Sequence, residues 1–214
     1  INLNIKDLCR YLFTAVYVIN IFPLIKILFL VNNVGTSTTQ PGPMASFSRE
    51  ELSSVLKTNT VPVTLLTNFF LQKMKQHKIK GIIINISSGL EMMPVVNGAL
   101  YAATKAFTRS LTKALQVEAR PWGIELQLVS PGFVVTKINS YAPLVMKGGF
   151  TIPTAEQYAR WAVSTIGKVD ETTGYYFHGW VVGSKIFRLI IFENKIFNFR
   201  ASFPDCFPFH CEPG

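Results

Sequence analysis

No glycine precedes Gly35 in this chain of 214 residues. Glycine is the residue that lets backbone N–H groups turn tightly and approach a pyrophosphate at the start of a helix. The segment before Gly35 is therefore expected to contain no glycine-rich phosphate turn. Residues 1–26 are also too few for two strand–helix units that lead into a third strand.

Cysteine is scarce as well, with only Cys9, Cys206 and Cys211 in the chain. Three cysteines in a chain of this length do not make a disulfide framework, which favours a reducing compartment or the cytosolic face of a membrane. Cys206, His210 and Cys211 lie close in sequence, but they supply only three donors without a second pair of ligands. We therefore expect no metal site.

Acidic residues are few, 12 against 21 basic ones, and the net charge is +9. The basic residues are dense only at 73–80. Such a cluster is typical of a solvated helix end just before a cap at Gly81, where the helix dipole favours cations. The alternative is an anionic partner, such as a phosphate group or an acidic membrane surface. Because no nucleic-acid-binding motif accompanies the charge, we expect no nucleic-acid partner.

Long uninterrupted apolar runs are also absent. Residues 12–31 approach the length of a membrane span, but Asn20, Pro23 and Lys26 interrupt them. We expect this segment to lie against the edge of a β-sheet, and a transmembrane helix is the alternative. A cleaved signal peptide is not supported, because no cleavage site of small residues follows.

Strand and helix patterns alternate along the rest of the chain. Apolar runs at 27–35, 81–88 and 124–136 each end in turn residues and predict strands of a parallel sheet. Helical patterns at 98–119 and around 154–167 separate or follow them. This alternation implies right-handed crossovers and an α/β fold.

The helix starts carry recognisable capping signals. Ser48 and Glu51 predict a capping box that opens a helix to about Lys75, bent at Pro62, and Thr154 with Gln157 predicts another. In the helix at 98–119, we expect Ala106, Leu111 and Leu115 to be among the residues that face the sheet.

Tyr101 and Lys105, one helical turn apart, are the most informative pair in the chain. Positions four apart share a helix face, so the Lys105 cation is expected to lie beside the Tyr101 hydroxyl and lower its pKa. A phenol tuned in this way can act as an acid or base near neutral pH. Ser88 ends a predicted strand, where its hydroxyl could polarise the oxygen of a substrate carbonyl.

The order of these motifs resembles the short-chain dehydrogenase/reductase family. The chain contains NNVG at 32–35, Asn59, NISSG at 85–89, YAATK at 101–105 and PGFVVT at 131–136, with Val34 in place of the alanine of the family. The resemblance covers residues 27–180. It implies a Rossmann-like doubly wound parallel sheet that is truncated at its N-terminal, glycine-rich half. The expected organisation is an atypical apolar segment at 1–26, a catalytic portion at 27–180 and a divergent tail at 181–214.

Within that family the motifs look most like those of very-long-chain 3-oxoacyl-CoA reductases and 17-beta-hydroxysteroid dehydrogenases. The resemblance implies a catalytic tetrad of Asn59, Ser88, Tyr101 and Lys105. In it, Tyr101 donates the proton, Ser88 holds the carbonyl oxygen, and Lys105 lowers the tyrosine pKa and binds the nicotinamide ribose. Asn59 is expected to hold a water. Pro62 lacks the N–H that would bond the Thr58 carbonyl, which leaves an acceptor next to Asn59.

The implied cofactor is NADP(H), although the absence of the glycine-rich turn counts against its binding. Its nicotinamide side is expected to contact Asn32, Val34, Tyr101, Lys105, Val134 and Thr136. The irregular segment at 140–150 is the substrate lid of the resembling family, and its apolar residues suit a lipid substrate. We expect His178 and Tyr176 to be structural residues rather than site residues.

Two functions remain open from the sequence. The first is an oxidoreductase that reduces a 3-oxoacyl-CoA or interconverts a ketosteroid and a hydroxysteroid. The second is an inactive fragment that does not bind the dinucleotide and serves as a lipid-binding or dimerisation module. The resemblance also implies a homodimer, membrane association and a place on the cytosolic face of the endoplasmic reticulum, with a cytoplasmic location as the alternative.

Overall fold

The computed structural model describes residues 15–22 and 25–182. The three cysteines and His210 lie outside these ranges, as do most of the predicted tail at 181–214 and residues 1–14 of the apolar segment. The predicted boundaries at residues 26 and 180 remain predictions. The strands are β1 (Ala15–Phe22), β2 (Ile25–Asn32), β3 (Gly81–Ile86), β4 (Ile124–Val129) and β5 (Glu171–Thr172). The helices are α1 (Arg49–His77), α2 (Ala99–Ala119), α3 (Pro143–Met146), α4 (Ala155–Val163) and α5 (Tyr176–Val182).

The strands form one five-stranded sheet in the order β1-β2-β3-β4-β5. Strands β2 to β5 run parallel, which confirms the predicted α/β fold and its parallel sheet. Strand β1 is antiparallel to β2, so the described part of the 12–31 run forms two paired strands at one edge of the sheet. Within the described ranges, no helix combines the length and the apolar character needed to span a bilayer.

Helices cover both faces of the sheet. Leu30, Ile83 and Leu126 are buried in one cluster with residues of α1 and α2. Side chains alternate between the two faces of a strand, so the next residue of β4, Gln127, points to the opposite face. There its Nε2 donates to the Thr165 carbonyl, 3.0 Å away, in the turn that follows α4. The sheet therefore lies between α1 and α2 on one face and α4 on the other.

The predicted capping signals are realised to different degrees. Thr154 and Gln157 form the complete reciprocal capping box at the start of α4. At α1, Ser48 accepts from the Glu51 N–H, but the Glu51 carboxylate bonds Thr39 instead of closing the box.

The cap predicted at Gly81 was wrong, because Gly81 begins β3. Helix α1 ends earlier, with Lys78 in the left-handed region at φ 53°. The basic residues of the 73–80 cluster are exposed around this helix end, and Lys75 Nζ lies 4.0 Å from the centre of the Trp122 ring.

A buried row of amide and hydroxyl side chains joins the sheet to its helices. Asn32 Nδ2 donates to Thr67 Oγ1 at 3.0 Å and to Asn85 Oδ1 at 2.8 Å, and Asn85 Nδ2 donates to Thr112 Oγ1 at 2.9 Å. We call these four residues, Asn32, Thr67, Asn85 and Thr112, the polar seam. Each of them is at most 6% exposed, so each hydrogen bond replaces one that the group would otherwise make with water.

The polar seam changes which face of α2 meets the sheet. Thr104, Thr108 and Thr112, spaced one helical turn apart, are buried, whereas Ala106 and Leu111 are only partly buried. Of the predicted apolar residues, only Leu115 packs against the main hydrophobic cluster. Hydroxyl groups can occupy this face because each can donate to a carbonyl one turn earlier, as Thr112 does to Thr108 at 2.7 Å.

Asn85 is the central residue of the polar seam, and replacing it by alanine removes its hydrogen bonds to Asn32 and to Thr112. Asn32 Nδ2 and the Thr112 hydroxyl each lose a buried hydrogen bond, so we expect the free energy of unfolding to fall by about 2–4 kcal/mol. Denaturant titration measures this change. Asn68→Ala is the matched control, since Asn68 is exposed on α1. A loss no larger for Asn85→Ala than for Asn68→Ala would contradict the structural role of the seam.

Candidate active site

A cavity of about 590 Å³ opens where the parallel strands β2, β3 and β4 end. This is the end of an α/β sheet at which loops from several strands converge and bind ligands. Among the residues that line the cavity are Gly35, Ser88, Tyr101, Lys105, Val134 and Thr136. The structure thus brings together Ser88, Tyr101 and Lys105, which the sequence places on a strand end and a helix.

Ser88 is the second residue after the end of β3 and caps the N-terminus of a short 3₁₀ turn, Gly89–Met92. Its backbone is extended, and its Oγ accepts from the Leu90 N–H at 3.3 Å. The Ser88 side chain also hydrogen-bonds to Tyr101. The Leu90 N–H and the Tyr101 hydroxyl together hold the Ser88 hydroxyl at the wall of the cavity.

Lys105 is only 5% exposed, an unusual environment for an ammonium group. Its Nζ donates to the Ile86 carbonyl at 3.0 Å, at the end of β3, and lies 5.7 Å from the centre of the Tyr101 ring. Burial lowers the pKa of Lys105 to about 8, and the negative charge of Glu91 opposes that decrease. Lys105 is therefore a cation at neutral pH that loses its proton more readily than a surface lysine.

The pKa of Tyr101 is raised, whereas its spacing with Lys105 predicted a lowered pKa. Burial raises the pKa of Tyr101 to about 12, and the hydrogen bond from Ser88 only partly offsets this. The nearby charges of Tyr141 and Glu91 raise it further. The expectation failed because removing a phenolate from water costs more free energy than its neighbours return here. Tyr101 is thus a neutral phenol across the physiological pH range.

Asn59 lies in α1 and is 3% exposed, yet its amide does not point into the cavity as a free group. Its Oδ1 accepts from the Thr36 N–H at 2.8 Å, and its Nδ2 donates to the Thr36 carbonyl and to Thr104 Oγ1, both at 2.9 Å. The Asn59 side chain thus clamps the loop after β2 to α2, and the role of Asn59 in holding a water stays a prediction. Pro62 does lie inside α1, four residues after Thr58.

The loop after β2 presents different residues to the cavity from those predicted. Among the described residues, Asn32 and Val34 do not line it, and Asn32 belongs to the polar seam. Asn33 and Gly35 line it instead. Gly35 leaves room beside the lysine, since a Cβ there would lie 3.2 Å from Lys105 Nζ. On the far side, Val134 and Thr136 line the cavity, and their contact with a nicotinamide stays a prediction.

His178 holds the loop that carries Val134 and Thr136. It is 2% exposed; its Nδ1 accepts from the Gly132 N–H at 3.1 Å, and its Nε2 lies 3.0 Å from the Phe133 carbonyl. A Cβ at position 132 would lie 3.0 Å from the His178 ring, so a larger residue there would press on the imidazole. His178 therefore has the structural role expected of it, and Tyr176 is 72% exposed on α5.

Glu91 is a residue of the site that the sequence did not single out. It lies in the 3₁₀ turn after Ser88, and its side chain is fully buried. Ser130 Oγ donates to its Oε1 at 2.7 Å, and Arg109 Nη1 lies 2.9 Å from the same oxygen. A lone glutamate in a loop sequence carries no signal of burial, so only the fold shows its place beneath the site.

The predicted lid at 140–150 contains the short helix α3 and borders the cavity through Tyr141. Phe150 of this segment lies 4.1 Å from Phe177 of α5, centre to centre. This aromatic contact ties the segment to the end of the described chain, and Ala142 and Val145 of the same segment are buried.

Comparison with known proteins adds a family to this geometry. A family model described as short chain dehydrogenase matches residues 14–144. The zebrafish (Danio rerio) protein named very-long-chain 3-oxoacyl-CoA reductase-A is 35% identical over 162 residues, which are 73% of this chain and 49% of that protein. The human (Homo sapiens) protein named inactive hydroxysteroid dehydrogenase-like protein 1 is 33% identical over 149 residues, 70% of this chain and 45% of that protein. The chain thus spans about half the length of these relatives.

A solved structure shares the fold. The 3-ketoacyl-(acyl-carrier-protein) reductase from Brucella melitensis, complexed with NADH, superimposes with a TM-score of 0.58. The match covers 67% of this chain and 63% of that chain at 22% sequence identity. At this identity the similarity establishes the arrangement of strands and helices.

Protonation of His178 makes the free energy of unfolding depend on pH. Burial lowers the pKa of His178 from its ordinary 6.5, so the unfolded chain binds the proton more readily than the folded one. Stability is then lost as the pH falls from about 6.5 through the lower folded pKa. We expect the parent to lose up to about 1 kcal/mol more than His178→Asn between pH 7 and pH 5.5.

Urea titration at several pH values measures this difference. Asn keeps an acceptor for the Gly132 N–H but cannot be protonated, which isolates the imidazole. The control is His77→Asn, at an exposed position on α1. Parallel pH curves for the parent and His178→Asn would refute the role of the imidazole.

Proposed function

The chain belongs to the short-chain dehydrogenase family, and we propose that it is an NADP(H)-dependent oxidoreductase that reduces the carbonyl group of a lipid substrate. The observation that carries the proposal is the convergence of Ser88, Tyr101 and Lys105 on the wall of one cavity. A hydroxyl, a neutral phenol and a buried cation are the groups that a carbonyl reduction needs. The names of the relatives support a 3-oxoacyl-CoA or a steroid as the substrate class.

The protonation states suit a proton donor to a carbonyl oxygen. A Tyr101 phenol with its pKa raised to about 12 holds its proton at neutral pH and can donate it to an oxygen that gains negative charge. The Ser88 hydroxyl lies beside Tyr101, and with substrate bound its single proton would be donated to the same oxygen instead of to the phenol. Lys105 places a positive charge beside the phenol, which stabilises the phenolate left after proton transfer. Tyr101 is the general acid in this account.

The described residues fit the nicotinamide side of the cofactor. Gly35 leaves the backbone open beside Lys105 Nζ, and a side chain at that position would fill the space. Lys105 would hold the ribose, with Asn33, Val134 and Thr136 along the cavity wall. When bound, the reduced dinucleotide supplies the hydride. The preference for NADP(H) over NAD(H) follows the resemblance to the 3-oxoacyl-CoA reductase branch.

The surroundings of the cavity support a lipid substrate and an assembled, membrane-associated enzyme. Leu90, Phe133 and Tyr141 line the cavity beside Tyr101 with largely apolar surface. The exposed apolar side chains on α1 and α2, among them Leu65 and Phe107, support a homodimer. We propose that the protein lies on the cytosolic face of the endoplasmic reticulum, with the cytoplasm as the alternative.

A second candidate function is a lipid-binding or dimerisation module without catalysis. It is favoured by the relative whose name describes it as inactive, which matches this chain at 33% identity. In that case the cavity still accepts an apolar ligand, but the phenol and the cation do no chemistry. The two candidates differ in turnover and share lipid binding.

Substituting Tyr101 by phenylalanine removes the acidic proton and keeps the ring. We expect the rate of NADPH oxidation with a 3-oxoacyl-CoA to fall at least about 100-fold, because a positioned acid contributes 10² to 10⁴ to such a step. The melting temperature of Tyr101→Phe should stay close to that of the parent. Tyr176→Phe, at an exposed position, is the matched control and should retain the parent rate.

Each outcome separates the candidates. Turnover by Tyr101→Phe at the parent rate would sink the assignment of the acid. A folded parent chain that binds a fluorescent acyl chain but shows no turnover with 3-oxoacyl-CoAs or ketosteroids supports the non-catalytic module.

A further inference from the structure

The Glu91 carboxylate lies at the meeting point of four elements. Ser87 and Ser130, the first residues after β3 and β4, both place their hydroxyls on it, with Ser130 at 2.7 Å. Arg109 of α2 pairs with it at 2.9 Å and also contacts Glu171 of β5. One buried side chain thus ties the carboxyl ends of two strands to the helix that carries Tyr101 and Lys105.

The second observation concerns charge. The Glu91 side chain is fully buried, and its direct cation, Arg109, is 28% exposed and shared with Glu171. A buried carboxylate is costly unless cations and hydrogen-bond donors surround it. Lys105 lies next to this group, because the Ser87 hydroxyl that contacts Glu91 is also 2.9 Å from the Lys105 carbonyl. Lys105 Nζ itself bonds the carbonyl of Ile86, the residue before Ser87. The charged and titratable groups around it are Arg109, Lys105 and Tyr101 on α2, Glu171 on β5, and Lys113, which pairs with Glu171.

We propose that Glu91 is a positioning residue of the site, whose buried carboxylate fixes the Ser88 turn against α2 and keeps the neighbouring Lys105 ammonium charged. The inference rests on the proposed function for its catalytic meaning. The Ser88 turn begins three residues before Glu91, so a carboxylate anchored by Ser87 and Ser130 sets the direction of the Ser88 hydroxyl. The same charge offsets part of the cost of burying Lys105, which otherwise favours the neutral amine.

The test measures the protonation of Lys105 directly, without catalysis. In the full chain labelled with ¹³C at lysine, the Lys105 signal is identified by its loss in Lys105→Arg and followed by NMR against pH. Glu91→Gln keeps the size of the side chain and an acceptor for Ser130 but removes the charge. We expect the proton affinity of Lys105 to fall at least about threefold in Glu91→Gln.

Two further variants make the result decisive. Arg109→Gln removes the cation that competes for Glu91, so it should shift the Lys105 titration in the opposite direction, to higher pH. This variant also decides the case if Glu91→Gln fails to fold. Glu118→Gln removes one negative charge from the same helix, about 20 Å away along its axis, and should leave the Lys105 titration unchanged.

Unchanged Lys105 titration in a folded Glu91→Gln, or shifts of the same sign in Glu91→Gln and Arg109→Gln, would overturn the inference. If the parent is a reductase, the alkaline limb of its pH–rate profile should move with the Lys105 titration in each variant. A parent without turnover defeats the proposed function alone, because the NMR titration still reports on Glu91.

Discussion

Asn59 joins three parts of the site through one side-chain amide. It accepts from and donates to the Thr36 backbone, and it donates to Thr104 on α2. The loop after β2 is thereby held against the helix that carries Tyr101 and Lys105, and Gly35 comes close to Lys105 Nζ. Because the Asn59 side chain is buried, water does not readily replace these bonds when they break. The geometry of the cavity depends on this clamp and, beneath it, on the polar seam.

The same burial sets the chemistry. It raises the pKa of Tyr101 to about 12 and lowers that of Lys105 to about 8, so both groups move towards their neutral forms. Near neutral pH the phenol still has its proton and the lysine is still charged, which is the combination that a proton donor to a carbonyl oxygen requires. Glu91 acts in the same direction on both groups, since a nearby negative charge disfavours phenolate and favours ammonium.

Much of the fold and the centre of the site could be predicted from the sequence. Apolar runs and capping signals gave the strands β2 to β4 and the start of α4, because these depend on local patterns. The order of the motifs also predicted that Ser88, Tyr101 and Lys105 lie in one site, and all three line the cavity. It was harder to predict which side chains point into the cavity. Asn32 and Asn33 are neighbours, and in an extended chain successive side chains point to opposite sides.

Other features depend on burial and therefore lie beyond sequence patterns. The threonine face of α2 departs from the rule that apolar residues face a sheet, and the amides of Asn59 and Asn85 bond two of its hydroxyls. The direction of the Tyr101 pKa follows from desolvation, which a spacing of four residues does not encode. Glu91 was missed for the same reason, since a carboxylate is expected at the surface.

Titration of the purified chain with NADPH, followed by the fluorescence of the dinucleotide, tests most directly whether this cavity is an oxidoreductase site. The account predicts saturable binding in the micromolar range, weakened in Lys105→Met, because Lys105 lies in the cavity wall where the ribose would be held. Glu118→Gln serves as the control. No binding to a folded chain at millimolar NADPH would contradict the account.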